Sequence, residues 1–253
     1  MANLSLQKVL DIALAEIGYY EKESNYKLYE KEANKGDKNY TKYNYELVQK
    51  IGYPYYNPAE WCDMFVDWCI CTALNWDIEA AKNALFGFSA YCPTSAAYYR
   101  NKSRWYNKPS VGAQFFIGSK YHEEHTGFVY KVLSNSTFLS IEGNKGNCVC
   151  SIVRYNSACA GFGVPYYDNY NLEERVLIDT TEVKYGDSGK NVKTIQRIYN
   201  SYYKDERINK ELEVDGICGS MTELAIKELQ KVLGLKADGV CGEDTWNGII
   251  NNL

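Results

Sequence analysis

The chain has 253 residues, of which 45% are hydrophobic and 24% charged, which are ordinary values for a globular protein. Its formal net charge is −4, so it lacks the basic surplus that favours nucleic-acid binding, and that class of partner is not expected. It contains no uncharged apolar run of the roughly 18 residues that a membrane helix needs, so we expect no membrane insertion.

The N-terminal stretch MANLSLQKVLDIALAEIGYY predicts an amphipathic helix that ends at Gly18. Its apolar residues recur at helical spacing, whereas Lys8, Asp11 and Glu16 interrupt the continuous apolar core that a signal peptide requires. We therefore expect a protein that is made in the cytoplasm without a signal peptide. The nine cysteines are an odd number, and in that compartment they are expected to be reduced.

Residues 19–56 contain ten tyrosines, whose rings either pack at the domain surface or line a groove for a ligand. The segment EANKGDKNYTKYN adds possible calcium ligands at Asn34, Asp37 and Asn39. The spacing of an EF-hand loop is absent, so calcium is the less favoured interpretation. We expect no cofactor.

The stretch PAEWCDMFVDWCICTAL, residues 58–74, predicts a second helix that starts near Trp61. Cys62 then lies at the helix start, after Pro58, where the positive end of the helix dipole favours a thiolate. Cys69 and Cys71 lie further along the same helix, on different faces, and are expected to be packing residues.

After residue 110 the hydrophobic period becomes strand-like, in the runs VGAQFFIGS, TGFVYKVLS and STFLSIEGN. Helices followed by strands, without alternation, predict an α+β domain with an antiparallel sheet. His125 lies at the head of the second run, and Glu142 and Asn144 follow the third. His122, among charged neighbours, is expected to be solvated.

Cys62, His125 and a third polar group fit nucleophilic catalysis. His125 is a candidate base for the thiol proton, and Glu142 or Asn144 is a candidate to hold the imidazole in place. Two cysteines in NCVC, Cys148 and Cys150, offer an alternative, because with Cys92 or Cys159 they would make a zinc site. No C-x₂-C pair is present, so zinc is less favoured.

Three motifs in this order resemble the cysteine, histidine-dependent amidohydrolase/peptidase (CHAP) family of bacterial and bacteriophage cell-wall hydrolases. They are WCDMFVDWC, HTGFV and IEGN, and the later GFGVPYY looks like the strand that closes such domains. The resemblance covers residues 1–168. It implies a papain-like domain in which N-terminal helices pack on an antiparallel sheet.

The resemblance also implies amide hydrolysis through a thioester, with no metal. Cys62 is the expected nucleophile, His125 the acid and base, and Glu142 the group that orients His125, with Asn144 as the alternative. The Cys62 N–H is the expected first oxyanion donor. Asn144 or Asn57 is a candidate for the second, and the sequence does not decide between them. Asn57 and Trp61, just before the nucleophile, are predicted to contact substrate.

The C-terminal part contains a repeat: residues 214–229 and 237–252 align without gaps at an offset of 23 residues. Each copy predicts a Gly-containing turn followed by a helix, and YGDSGKNVKTIQ predicts a similar turn and helix before them. We expect a three-helix domain over residues 183–253 and a linker over 169–182. Cys218 and Cys241, at equivalent repeat positions, are expected to be buried and unpaired.

This second domain resembles the peptidoglycan-binding domain of many wall hydrolases. Together the two resemblances imply a peptidoglycan hydrolase, similar to a bacteriophage endolysin or an autolysin, that acts on the bacterial cell wall after release. The cleaved bond is open between the N-acetylmuramoyl-L-alanine amide and a peptide bond of the stem or cross-bridge. The alternatives are a non-catalytic wall-binding protein and an enzyme that transfers the acyl group to an amine.

Overall fold

The computed structural model describes residues 4–134, 136–168, 170, 181–203 and 211–252. The chain forms two compact units. As far as they are described, the first comprises Met1–Lys131, Ser140–Cys150 and Tyr155–Arg175, and the second Val132–Leu139, Ser151–Arg154 and Val176–Leu253. Most of the predicted linker, residues 169 and 171–180, lies outside the described residues. The domain boundaries at 168 and 183 stay a prediction.

The helices of the first unit precede its strands in the chain. They are α1 (Leu6–Ala15), α2 (Lys42–Lys50), α3 (Cys62–Ala73), α4 (Ile78–Leu85) and α5 (Cys92–Asn101). Ser5 and Thr41 cap α1 and α2, because their hydroxyl oxygens accept hydrogen bonds from backbone N–H groups of the first turn. Helix α3 is buried along its whole length except at Thr72, which explains its almost continuous apolar sequence. The helices predicted near Leu6 and Trp61 are confirmed.

In the part of the chain that the structure describes, six strands form one sheet in the order β1-β6-β2-β3-β4-β5. They are β1 (Trp105–Tyr106), β2 (Gln114–Ser119), β3 (His122–Val132), β4 (Thr137–Ile141), β5 (Val153–Tyr155) and β6 (Cys159–Gly163). Strand β2 is antiparallel to both β3 and β6. The predicted α+β class with an antiparallel sheet is therefore confirmed. Within the described residues, every helix is too short or too polar to cross a lipid bilayer.

A small buried cluster joins the starts of two helices to the sheet. It contains Cys62 from α3, Cys92, Ala96 and Tyr99 from α5, and Phe116 from β2. Burial of these side chains fixes the first turn of α3 against the sheet, which is where the candidate nucleophile lies.

In the second unit the described helices are α6 (Lys190–Tyr203), α7 (Ser220–Val232) and α8 (Glu243–Asn252). Gln196 on α6 fixes the turn before α7. Its amide nitrogen donates to Asp215 Oδ1 at 2.7 Å and to Thr222 Oγ1 at 3.0 Å. Its amide oxygen accepts the backbone N–H of Gly216, whose φ of 83° suits a residue without a Cβ.

The second repeat has the same network one helix later. Gln230 on α7 donates to Asp238 Oδ1 at 2.8 Å and to Thr245 Oγ1 at 3.0 Å, and it accepts the N–H of Gly239 at 2.9 Å. Cys218 and Cys241 are buried and unpaired, as expected. The repeat in the sequence is thus also a repeat of hydrogen bonds. In each copy, a glutamine side chain on one helix forms hydrogen bonds with the turn before the next helix.

Candidate active site

Cys62 is the first residue of α3, as the sequence predicts. The residue before it, Trp61, gives no side-chain cap to this helix. The N–H groups of the first turn are therefore not covered by a capping side chain, and they add positive potential at the thiol. The residue Cys62 is 8% exposed, at the edge of the buried cluster.

His125 and Glu142 meet beside this helix start. His125 Nε2 lies 2.7 Å from Glu142 Oε2. The Glu142 side chain is fully buried, and its other oxygen accepts a hydrogen bond from the Ser140 hydroxyl. A carboxylate that is held in this way fixes the imidazole and leaves Nδ1 as the ring nitrogen for the hydrogen bond with Cys62.

Two glycines allow this close approach. A Cβ on Gly127, two residues after His125, would lie 2.6 Å from the backbone oxygen of Ile141. A Cβ on Gly143, next to Glu142, would lie 2.6 Å from Cβ of Phe65 on α3. The backbone at both positions therefore packs against neighbours at distances that only glycine permits.

The electrostatics of the site favour a thiolate and an imidazolium. The hydrogen bond from the Cys92 thiol has the largest effect on the Cys62 pKa, which it lowers. Together with the hydrogen bond and charge of His125, it outweighs the effect of burial and brings the Cys62 pKa to about 5. Burial opposes protonation of His125, but its hydrogen bonds with Cys62 and Glu142 outweigh this and raise the His125 pKa to about 9. Between these values the two groups form an ion pair.

Several polar groups near the nucleophile were not predicted from the sequence. Asp63 is buried and accepts hydrogen bonds from Ser95 Oγ at 2.6 Å and Gln114 Nε2 at 2.8 Å. Burial raises its pKa to about 7. Charged residues inside an apolar helical pattern, as in CDMFVD, are the signal that would have drawn attention to Asp63. Cys92, 30 residues from Cys62, has no comparable signal.

The structure places the other predicted site residues differently. Asn144 lies two residues beyond Glu142 in a left-handed conformation, and its amide donates to Glu60. The Asn57 amide donates to Asn25 Oδ1 at 2.8 Å. Both amide nitrogens thus have carboxylate or amide partners, and neither is identified as the second oxyanion donor. Their predicted roles stay predictions.

The prediction that Trp61 binds substrate is wrong. Its indole is fully buried, it stacks on Tyr43 at 5.5 Å between ring centroids, and its Nε1 donates to Glu21 at 2.9 Å. A side chain without exposed surface cannot contact a ligand, so Trp61 instead anchors the start of α3 in the core.

A cavity of about 730 Å³ lies next to the helix starts. It is bounded by residues 53, 54, 56, 59 and 60, in the segment that leads into α3, and by residues 86–91, which lead into α5. Its rim carries the exposed rings of Tyr53, Tyr56 and Tyr91. Two of the ten tyrosines in residues 19–56 thus border a groove, whereas others, such as Tyr19 and Tyr43, are core residues.

Among the described residues, no group of three or more His, Cys, Asp or Glu side chains is arranged to hold a metal ion. Cys148 and Cys150, considered for zinc, both donate to the backbone oxygen of Lys145. Of the residues considered for calcium, Asn34 donates to the backbone oxygen of Tyr26 at 3.0 Å, and Asp37 pairs with the adjacent Lys38.

Residues 188–249 match the family described as "Putative peptidoglycan binding domain". The match spans α6, α7 and most of α8, and it supports peptidoglycan as a partner and association with the cell wall. Comparisons of the chain with curated proteins and with solved structures give no match.

Proposed function

We propose that the protein is a peptidoglycan hydrolase that cleaves an amide bond of the bacterial cell wall through a thioester on Cys62. The observation that carries the proposal is the joint geometry of three residues. Cys62 begins a helix, its thiol and the His125 imidazole are near enough to shift each other's pKa, and His125 Nε2 lies 2.7 Å from the buried Glu142. The family match of residues 188–249 supports peptidoglycan as the polymer.

In the first half of the reaction, the Cys62 thiolate attacks the carbonyl carbon of the scissile amide. The oxygen of the tetrahedral intermediate becomes negative, and the Cys62 N–H at the start of α3 stabilises it. Protonated His125 then gives its proton to the leaving amine, because an amine leaves only as a neutral molecule. The products are the free amine and an acyl group on Cys62.

In the second half, His125 is neutral and takes a proton from water, which attacks the thioester. Glu142 accepts the hydrogen bond from His125 Nε2–H throughout, and its charge stabilises the imidazolium each time it forms. The intermediate then expels the thiolate and leaves the imidazolium in place, and the released carboxylic acid gives its proton to solvent. Each step uses side chains of this chain and one water molecule.

The scaffold proposed for this chemistry is a papain-like domain of the CHAP type. A nucleophile at the start of a buried helix, facing a histidine on the adjacent sheet, is the arrangement that supports this assignment. By the same resemblance, we assign the protein to the endolysin and autolysin class, which reaches the wall after release from the cell. Either the N-acetylmuramoyl-L-alanine amide or a peptide bond is the scissile bond.

Replacement of Cys62 tests the proposal. Purified cell walls treated with the Cys62→Ala variant should clear at least about 10³-fold more slowly than with the unchanged chain. Cys159→Ser is the matched control, because Cys159 is only partly buried and its thiol contacts the Tyr155 backbone, and this variant should keep full activity. Unchanged clearing by Cys62→Ala would rule out the mechanism.

Mass spectrometry of the released fragments identifies the reaction. Hydrolysis gives a free carboxylate and a free amine, and the identity of the new amine names the bond. A conjugate with an added amine would instead indicate acyl transfer. Wall binding without any new ends would indicate a non-catalytic wall-binding protein.

A further inference from the structure

The Cys62 thiol has a second thiol in contact with it. The Sγ atoms of Cys62 and Cys92 lie 3.7 Å apart. Each cysteine is the first residue of a helix, α3 or α5, and the residues are 8% and 5% exposed. The mechanism of amide hydrolysis does not require a second cysteine at this position.

We propose that Cys62 and Cys92 are a redox modification site, at which a hydroperoxide converts the two thiols into a reversible disulfide. The disulfide removes the nucleophile, so the effect on activity rests on the proposed function. Formation of the bond itself depends only on the geometry and protonation of the two thiols.

The two cysteines have different roles in this reaction. The hydrogen bond from Cys92 and the nearby His125 lower the pKa of Cys62, so Cys62 is the thiolate that attacks the peroxide. The hydrogen bond with Cys62 and then burial raise the pKa of Cys92, so Cys92 keeps its proton until Cys62 has been oxidised.

The disulfide forms in two steps. The Cys62 thiolate attacks one peroxide oxygen and the O–O bond breaks, which leaves a sulfenic acid on Cys62. The departing hydroxide takes the proton of the His125 imidazolium and becomes water. Cys92 then loses its proton to His125, which is now neutral, and attacks the Cys62 sulfur. The S–O bond breaks, and the departing hydroxide takes that proton from His125 to give a second water. Two thiols and one hydroperoxide thus become one disulfide and two water molecules when the peroxide is hydrogen peroxide. A dithiol such as dithiothreitol reverses the reaction by thiol–disulfide exchange.

The geometry requires little movement. A disulfide has an S–S bond of about 2.05 Å, so the two sulfur atoms must approach each other by roughly 1.7 Å from their present contact. Other thiols on the same helix are less suitable partners. Cys69 and Cys71 are fully buried further along α3, and burial raises the pKa of both.

Peptide mass spectrometry of the full-length protein tests the proposal. After treatment with hydrogen peroxide, the intact mass should fall by the mass of the two thiol hydrogens, and a peptide pair joined through Cys62 and Cys92 should appear. Dithiothreitol should restore both the mass and the wall-clearing rate. The Cys159→Ser control should behave in the same way.

The Cys92→Ser variant keeps a hydroxyl donor beside Cys62 but cannot form the disulfide. In this variant, peroxide should carry Cys62 to the sulfinic acid, which dithiothreitol does not reverse. Circular dichroism establishes that the variant is folded, and Cys92→Ala replaces it if it is not. The inference is overturned if peroxide leaves Cys92 as a free thiol in the unchanged chain, or if it joins Cys62 to another cysteine.

Mass spectrometry measures disulfide formation and wall clearing measures hydrolysis, so either proposal can fail without the other. A chain that forms the disulfide but clears no walls contradicts hydrolysis and keeps this inference. A chain that clears walls but forms no disulfide contradicts this inference and is consistent with the proposed hydrolysis.

Discussion

Among the single residues of the site, Glu142 controls the protonation of His125. Its buried carboxylate lies 2.7 Å from His125 Nε2, and the pKa of His125 is raised to about 9 by its hydrogen bonds with Cys62 and Glu142, against the effect of burial. A raised histidine pKa means that the imidazolium persists up to that pH and is lost above it. The thiolate–imidazolium pair, and with it activity, should therefore decline on the alkaline side as the pH passes about 9.

Glu142→Gln should move this alkaline decline to lower pH. Glutamine still accepts the hydrogen bond but carries no charge, so the His125 pKa should fall by roughly one unit or more. The measurement is kcat/KM for wall clearing over a pH series. Glu124→Gln is the control, because Glu124 is exposed on the same strand, and it should leave the profile unchanged. An identical alkaline limb in Glu142→Gln and the unchanged chain would contradict the role of Glu142.

At this scale the sequence predicts some site residues and not others. Cys62 and His125 were predictable because the chain has two histidines in all and because the pattern of residues 58–74 predicts a helix start at Cys62. Trp61 was misassigned because proximity to the nucleophile along the chain does not imply exposure. Cys92 was missed because only packing of α5 against α3 brings its thiol to Cys62, and no local pattern records that contact.

Close packing between elements positions the site. Gly143 lets the turn after Glu142 lie directly on α3, since a Cβ there would approach both Phe65 and Trp61 to within 3 Å. Gly143→Ala should therefore displace Glu142 from His125. We expect a loss of about 1–3 kcal/mol in the free energy of unfolding. Because catalysis depends on the position of reacting groups, kcat should also fall by about tenfold or more.

Urea unfolding and wall-clearing rates measure these two effects. Gly146→Asn is the matched control on the same turn. Gly146 has a φ of 63° and no atom within 4 Å of an added Cβ, and asparagine tolerates that conformation. The control should resemble the unchanged chain in both measurements. Equal stability and activity in Gly143→Ala would show that the close approach is not needed.

The sequence also predicts elements unevenly. The start of α3 was predictable because Pro58 precedes it. The strand runs after residue 110 were predictable because their apolar residues alternate. The stretch CPTSAAYYRN, which forms α5, has weak apolar contrast and buries only four residues. Its place beside α3 comes from tertiary contacts, which one sequence does not reveal.

At the scale of the whole molecule, wall binding and catalysis are assigned to different residues. The family match covers residues 188–249, whereas the candidate nucleophile lies at residue 62. Residues 171–253 carry 11 basic and 15 acidic groups, so attraction to an anionic wall polymer does not explain binding. The full-length Cys62→Ala variant should therefore still bind purified walls.

Cosedimentation with purified walls measures this binding. It should persist after the anionic polymers have been removed from the walls and should change little with ionic strength, because screening weakens only charge attraction. The unchanged chain at low temperature, where clearing is slow, is the control. Binding that disappears with the anionic polymers, or with added salt, would contradict peptidoglycan as the ligand.

The most direct measurement of the central claim is the rate at which iodoacetamide alkylates Cys62 as a function of pH, followed by peptide mass spectrometry. The thiolate is the reacting form, so the rate reports the protonation of this one sulfur. We expect a midpoint near pH 5 in the unchanged chain, and a midpoint at clearly higher pH in His125→Ala, which loses the imidazolium. A midpoint near 9 in the unchanged chain, or one that His125→Ala does not move, would contradict it.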